Sequence, residues 1–322
     1  LILPQGWFGE FEGWDPLEAF ARCLEIARAA ERAGFDSLWT GEHLQTKWGG
    51  EQVLFECVTM TTAIAQAVGR VGLGFTVLNS TLRNPALTAK MASTLDVVSG
   101  GRLTLGLGAG FRQDELEAFG FDFPPLATRL AILGEHLEVI SRMLSHEQPA
   151  FTFEGSHARV REVVNNPRGV QRPRIPLLIG GHGPQVTFRL AARYCDEINL
   201  DVLPAETAGS IAVLRDRCEE VGRDPDTLAV SIGISPVMQF RGLGNYGQRM
   251  ARDDELAFVD PAKLKELTTR AEALALWREL GLARVMVGAP GLAGSDEPLG
   301  ELLEDCRLAG VELEPSTGGT TG

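Results

Sequence analysis

Short apolar runs alternate with amphipathic stretches along most of the chain. Leu1 to Pro4 reads as a strand stub. Leu17 to Ala33 carries Leu17, Phe20, Ala21, Leu24 and Ala27 at helical spacing, and Gly34 closes the run as a C-cap. Asp36 to Thr40 predicts a second strand, Glu56 to Val68 a helix and Val71 to Leu78 a third strand. Asn84 then offers an N-cap and Pro85 a first-turn residue, which predicts a helix over Pro85 to Val98. Leu103 to Leu107 is the fourth strand, and Leu126 to Leu144 the helix after it. Strands follow at Ile175 to Ile179, Glu197 to Leu200, Leu228 to Ile234 and Arg284 to Val287. The helices between and after them run over Val186 to Arg193, Ala205 to Val221, Pro261 to Leu280 and Leu299 to Leu308.

Eight strand–helix pairs predict a single α/β domain, a (β/α)8 TIM barrel over residues 1–310 with insertions at its C-terminal mouth. The Ser/Thr/Gly-rich end, 311–322, is expected to be disordered. Two segments fall outside the repeat. Pro149 to Pro173 alternates in part and is rich in Asn, Pro and Arg, and it is expected to arch over the barrel mouth. Ser235 to Asp260 is a long loop after the seventh strand, and such loops tend to be lids or binding loops.

Composition narrows the partners. A net charge of −13 over 322 residues argues against a nucleic-acid backbone or an anionic membrane as the main partner. No apolar run approaches the ~18 residues of a membrane span. Five cysteines without a C-x-x-C pair read as the reduced thiols of a cytoplasmic protein.

In a barrel of this kind chemistry sits where the strands end. The residues there are Gln5 to Phe8, Gly41 to Leu44 with Trp48, Asn79 to Thr81 with Arg83, Gly108 to Arg112, Gly180 to Gly183, and Asp201. They hold no nucleophile elbow, no His and carboxylate cluster at metal spacing and no paired acids. Glycine and aromatic rings dominate, which suits a flat, apolar cofactor that carries the reaction itself. The stretch PLLIGGHGP, Pro176 to Pro184, leaves two readings open. It is a tight turn, or a loop whose amides and following helix N-terminus hold a phosphate. Arg83 and Arg112 either add charge there or form structural ion pairs. His43 is either a reacting group or a strand-end hydrogen-bonding residue. An isomerase or aldolase would need a lysine or paired carboxylates at the strand ends, and none is well placed.

Four segments carry a resemblance: LPQGW (Leu3 to Trp7), AERAGFDSLWTGEH (Ala30 to His43), RNPALTAKMASTLDVVSGGRLTLGLGAG (Arg83 to Gly110), and Asn165 to Asn199 around GGHGP. In this order they resemble the bacterial luciferase-like superfamily, and most closely its branch that uses coenzyme F420. The resemblance covers roughly Leu1 to Leu308 and implies a barrel that is usually a homodimer. It implies that Gly180, Gly181, His182 and Gly183 form a phosphate-binding loop. It implies a non-proline cis peptide at Thr76 and Val77 behind the cofactor ring, with Asn79 just beyond. Gly108, Ala109 and Gly110 would line the ring's other side. His43 and Trp48 match a His…Trp pair flanking the ring, at a spacing one residue longer. Phe111 stands where sugar-phosphate dehydrogenases of the family carry an acidic glutamate, and Asn84 replaces a histidine, which argues against that substrate. The implied activity is hydride transfer between F420 and a small organic substrate, with His43 near the reacting atom and Trp7, Trp48 and Phe111 as walls. The alternative is a monooxygenase using reduced FMN and oxygen. Arg159, Arg161, Arg168, Arg172 and Arg174 would supply a basic rim for the acidic tail of F420. A relative that binds flavin without turnover is a third reading.

Overall fold

The computed structural model describes residues 1–47, 50–234, 269–289 and 291–314. The strands are β1 (Ser37–Thr40), β2 (Gly72–Phe75), β3 (Leu78–Asn79), β4 (Leu103–Gly108), β5 (Phe151–Glu154), β6 (Arg159–Val163), β7 (Leu177–Gly180), β8 (Glu197–Leu200), β9 (Ala229–Ile234) and β10 (Arg284–Val287). Between them lie helices α1 (Pro16–Ala33), α2 (Cys57–Ala67), α3 (Pro85–Val98), α4 (Gln113–Ala118), α5 (Leu126–Leu144), α6 (Thr187–Tyr194) and α7 (Pro204–Glu220). Helices α8 (Arg270–Glu279) and α9 (Glu297–Leu308) complete the order. The expected caps are in place. Asp15 accepts from the amides of Leu17 and Glu18, Gly34 takes the left-handed conformation, and Asn84 accepts from Ala86 and Leu87.

The parallel order β1-β2-β4-β7-β8-β9-β10 runs around a barrel. Ile2 closes it, bridging Trp39 on one side and Gly288 on the other. The third predicted strand is two pieces, β2 and β3, separated by Thr76 and Val77, and the peptide between those two is cis. Val77 fills space that side chains on the neighbouring strands would need. A Cβ on Gly108 would lie 2.5 Å from Val77, and one on Gly180 2.9 Å. Inside the barrel Trp39, Leu178 and Met286 pack with Ile2 and Val77. Gly74 is required beneath Trp39, since a Cβ there would fall 2.1 Å from the indole. A larger apolar core fills the layer between barrel and helices.

The mouth carries two insertions, the β1–α2 loop and the 109–125 segment with α4. The 149–173 excursion is placed differently from the expectation. It forms the antiparallel β5–β6 hairpin along the outer flank of α5, where Glu135 accepts from the amides of Ser156, His157 and Ala158. Its base lies on the opposite face, where strands begin: Gln171 donates to the carbonyl of Leu103 and Val170 to Asp96. The reason is connectivity, because a segment joining a helix end to the next strand start stays on the N-terminal face. The loop after the seventh strand lies outside the described residues. The domain also extends past residue 310, since Val311 and Leu313 pack against the core.

Candidate functional site

Two mouth segments meet at His43. Glu115, in the first turn of α4, turns away from its own helix toward the β1–α2 loop. Its Oε2 lies 3.1 Å from His43 Nδ1, and its Oε1 accepts from the amides of Leu44 at 2.5 Å and Gln45 at 3.1 Å. The carboxylate is nearly sealed, with 5% of the side chain exposed, while His43 keeps 12%. Trp7 stacks on the imidazole with ring centroids 3.7 Å apart and planes within 2°. Phe111 stands edge-on to both rings, at 5.9 Å from His43 and 6.3 Å from Trp7, and is 63% exposed. Burial pulls the His43 pKa below the usual histidine value, against the opposing pull of Glu115. Burial raises Glu115, but its bonds to His43 and the two amides outweigh this and hold it below the usual carboxylate value. A neutral imidazole beside an ionised carboxylate follows.

Several other acids and cations of the mouth are engaged with each other. Glu42 is buried, accepts from the Asn79 amide at 2.6 Å and pairs with Arg83. Arg83 also bonds Glu56, the N-cap of α2. Its guanidinium therefore forms the structural ion pairs that tie β1, β3 and α2 together. It also supplies the positive charge between Glu42 and Glu56, which with Cys57 lie close enough to have held a metal ion. Arg112 pairs with Asp114. Arg129 bonds the carbonyl of Gly110 and so anchors the 109–125 segment.

The floor of the mouth is nearly free of side chains. Gly108 ends β4 and Ala109 and Gly110 follow it, and a Cβ on Gly110 would strike the Asn79 amide at 2.4 Å. Asn79 is buried, and its side-chain oxygen accepts from Thr81. Thr76 donates its amide to Thr40. Gly180 ends β7, and Gly181, at φ +132°, donates its amide to Asn199. His182 is exposed, and α6 opens at Thr187, after the turn 184–186, with no side-chain N-cap. Asp201, at the end of β8, has its pKa raised by partial removal from water, with His182 opposing. The geometry thus brings His43, Val77, Gly108 to Gly110 and Gly180 to Gly183 to one end of the barrel. Trp48 lies outside the described residues. The five arginines expected at the rim lie elsewhere: Arg159 and Arg161 are on the hairpin, Arg168 and Arg172 bond around His146, and Arg174 pairs with Asp196 before β8. Two site features escaped sequence reasoning, the role of Glu115 and that of Arg129. Their partners are 72 and 19 residues away, and no spacing rule links them.

Comparison with known proteins agrees with this fold. The profile of the luciferase-like monooxygenase family matches residues 6–241. A 4-hydroxyprotoasukamycin monooxygenase of Streptomyces nodosus subsp. asukaensis is 30% identical over 190 residues, 56% of this chain and 47% of that protein. An F420-dependent glucose-6-phosphate dehydrogenase of Kineococcus radiotolerans is 33% identical over 173 residues, 53% of this chain and 50% of that protein. The chain thus spans about half the length of these curated relatives. In fold it is similar to an F420-dependent secondary alcohol dehydrogenase solved with an F420-acetone adduct. The TM-score is 0.68 at 22% identity, over 85% of this chain and 89% of that one. The barrel, its glycine-lined mouth and the match over most of its length place this chain in the luciferase-like monooxygenase family.

Proposed function

We propose that this protein is an oxidoreductase that transfers a hydride between coenzyme F420 and a small organic substrate. The observation that carries the reading is the mouth itself, a floor of backbone around Val77 joined to one buffered imidazole, His43. That floor suits a flat ring because Val77 leaves no room for a side chain at Gly108 or Gly180, so backbone faces the mouth there, and the uncapped start of α6 suits a phosphate. F420, when bound, supplies or accepts the hydride. Gly108, Ala109 and Gly110 would line one side of the ring, Val77 would back it, and the loop from Gly180 to Gly183 would hold the phosphate. Trp7 and Phe111 wall the substrate side and exclude water, and His43 gives or takes the proton at the substrate oxygen. Relatives named as F420-dependent support the cofactor. Phe111 in place of an acid favours an apolar alcohol or carbonyl over a sugar phosphate. The reading includes a cytoplasmic homodimer, whose state light scattering measures.

The test is quenching of intrinsic fluorescence by F420 and by FMN, in parallel, on the wild type and on Val186→Asp. Val186 is 41% exposed at the start of α6, so a carboxylate there repels an anion without disturbing the core. Tight F420 binding, weaker FMN binding and at least about a tenfold loss in the variant are expected. Preference for FMN would overturn the cofactor and favour the monooxygenase reading, which the relative of Streptomyces nodosus supports. Oxygen consumption would then be the assay.

A further inference from the structure

We propose that Glu115 is a positioning residue: it holds the His43 imidazole in the tautomer protonated on Nδ1, leaving Nε2 as the bare, proton-accepting atom of the mouth. The geometry argues this in three steps. An ionised carboxylate only accepts hydrogen bonds, so the 3.1 Å contact with Oε2 requires the proton on Nδ1. The carboxylate cannot swing away, because Oε1 is tied to the Leu44 and Gln45 amides. The imidazole cannot turn over, because Trp7 lies flat against it at 3.7 Å. Among the described residues Nε2 has no hydrogen-bond partner, and the side chain retains some exposure.

The inference rests on the functional reading above for what Nε2 meets. In the oxidative direction the O–H bond of an alcohol breaks and an N–H bond forms at Nε2, while the hydride leaves the substrate carbon for oxidised F420. The imidazolium so formed faces the Glu115 carboxylate. In the reductive direction the same proton returns to a carbonyl oxygen. Burial and the charges of Arg112 and Lys47 oppose the imidazolium, and Glu115 favours it.

Imidazole 15N NMR of the purified protein, with His43 assigned through His43→Asn, reads the tautomer without cofactor. The wild type should carry its proton on Nδ1. In Glu115→Gln the amide oxygen can keep the Leu44 and Gln45 bonds while the NH2 group faces Nδ1, so the proton should move to Nε2. Turnover with F420 should fall about 10²- to 10⁴-fold with little change in KM. Glu115→Asp, which restores the charge, should return the Nδ1 proton and at least about a tenth of the activity. A wild-type ring protonated on Nε2, or the same tautomer in wild type and Glu115→Gln, would overturn the proposal. A tautomer that flips while the wild type shows no F420 turnover would support the pairing and overturn the proposed function instead.

Discussion

Gly106 and Gly209 make opposite demands on an added methyl group. A Cβ on Gly106 would fall 1.8 Å from the carbonyl oxygen of Phe75, where only backbone could yield. Gly106→Ala should therefore destabilise by about 1–3 kcal/mol or more, read from the urea midpoint. Gly209 sits within α7 with nothing within 4 Å, so Gly209→Ala should stabilise by about 0.4–1 kcal/mol. Neither outcome was legible in the sequence, where Gly106 lies between Leu105 and Leu107 and Gly209 between Ala208 and Ser210. Asn84 and Gly34 were legible because capping is a local rule that acts within four residues. His43 was legible as a mouth residue from its place after a strand. Its partner was not, because Glu115 meets it through a turn of α4 that no periodicity in the sequence encodes.

Helix α5 shows what an element can carry besides its apolar face. His136 lies on its buried side, and burial brings the imidazole down to about 4, with Glu135 opposing and His157 reinforcing the shift. Between pH 6.5 and 4 the unfolded chain takes up a proton that the folded chain refuses, so stability falls as pH drops through that window. His136→Leu should flatten this part of the curve, seen as a smaller drop in urea midpoint from pH 7 to pH 5. Glu135, held below the usual carboxylate value by the hairpin amides, adds a loss of the same sign at lower pH, as it protonates through its folded pKa. Partial alternation was legible at Pro149 to Pro173, but alternation does not say which face of the barrel receives the segment. Chain order does, and it was the stronger clue. The alternation of strand and helix was legible, although the expected strand at Leu1 to Pro4 is only a bridge at Ile2 and most of the first half of the helix expected over Pro261 to Leu280 lies outside the described residues, while the break between β2 and β3 came only from the resemblance.

At the scale of the whole molecule one side chain spans floor and foundation. Trp39 is 1% exposed in the barrel interior, hydrogen-bonded through its indole N–H to Ser37, and packed in one cluster with Val77 of the mouth. Trp39→Ala should cost about 3–5 kcal/mol and, through loosened support for Val77, weaken cofactor binding as well. Calorimetry and the fluorescence titration read the two effects separately. The barrel also separates its working end from the hairpin, whose strands flank α5 and whose base lies where the strands begin. All five cysteines are buried and unpaired, and burial pushes the Cys23 thiol up to about 12. A thiol reagent should thus find almost nothing to modify in the folded protein and five sites after denaturation. The exposed hairpin residue Ser156 then becomes a unique handle. Ser156→Cys would let the protein be tethered to an electrode or a bead by one bond, with every copy oriented alike and the barrel mouth left clear of the attachment.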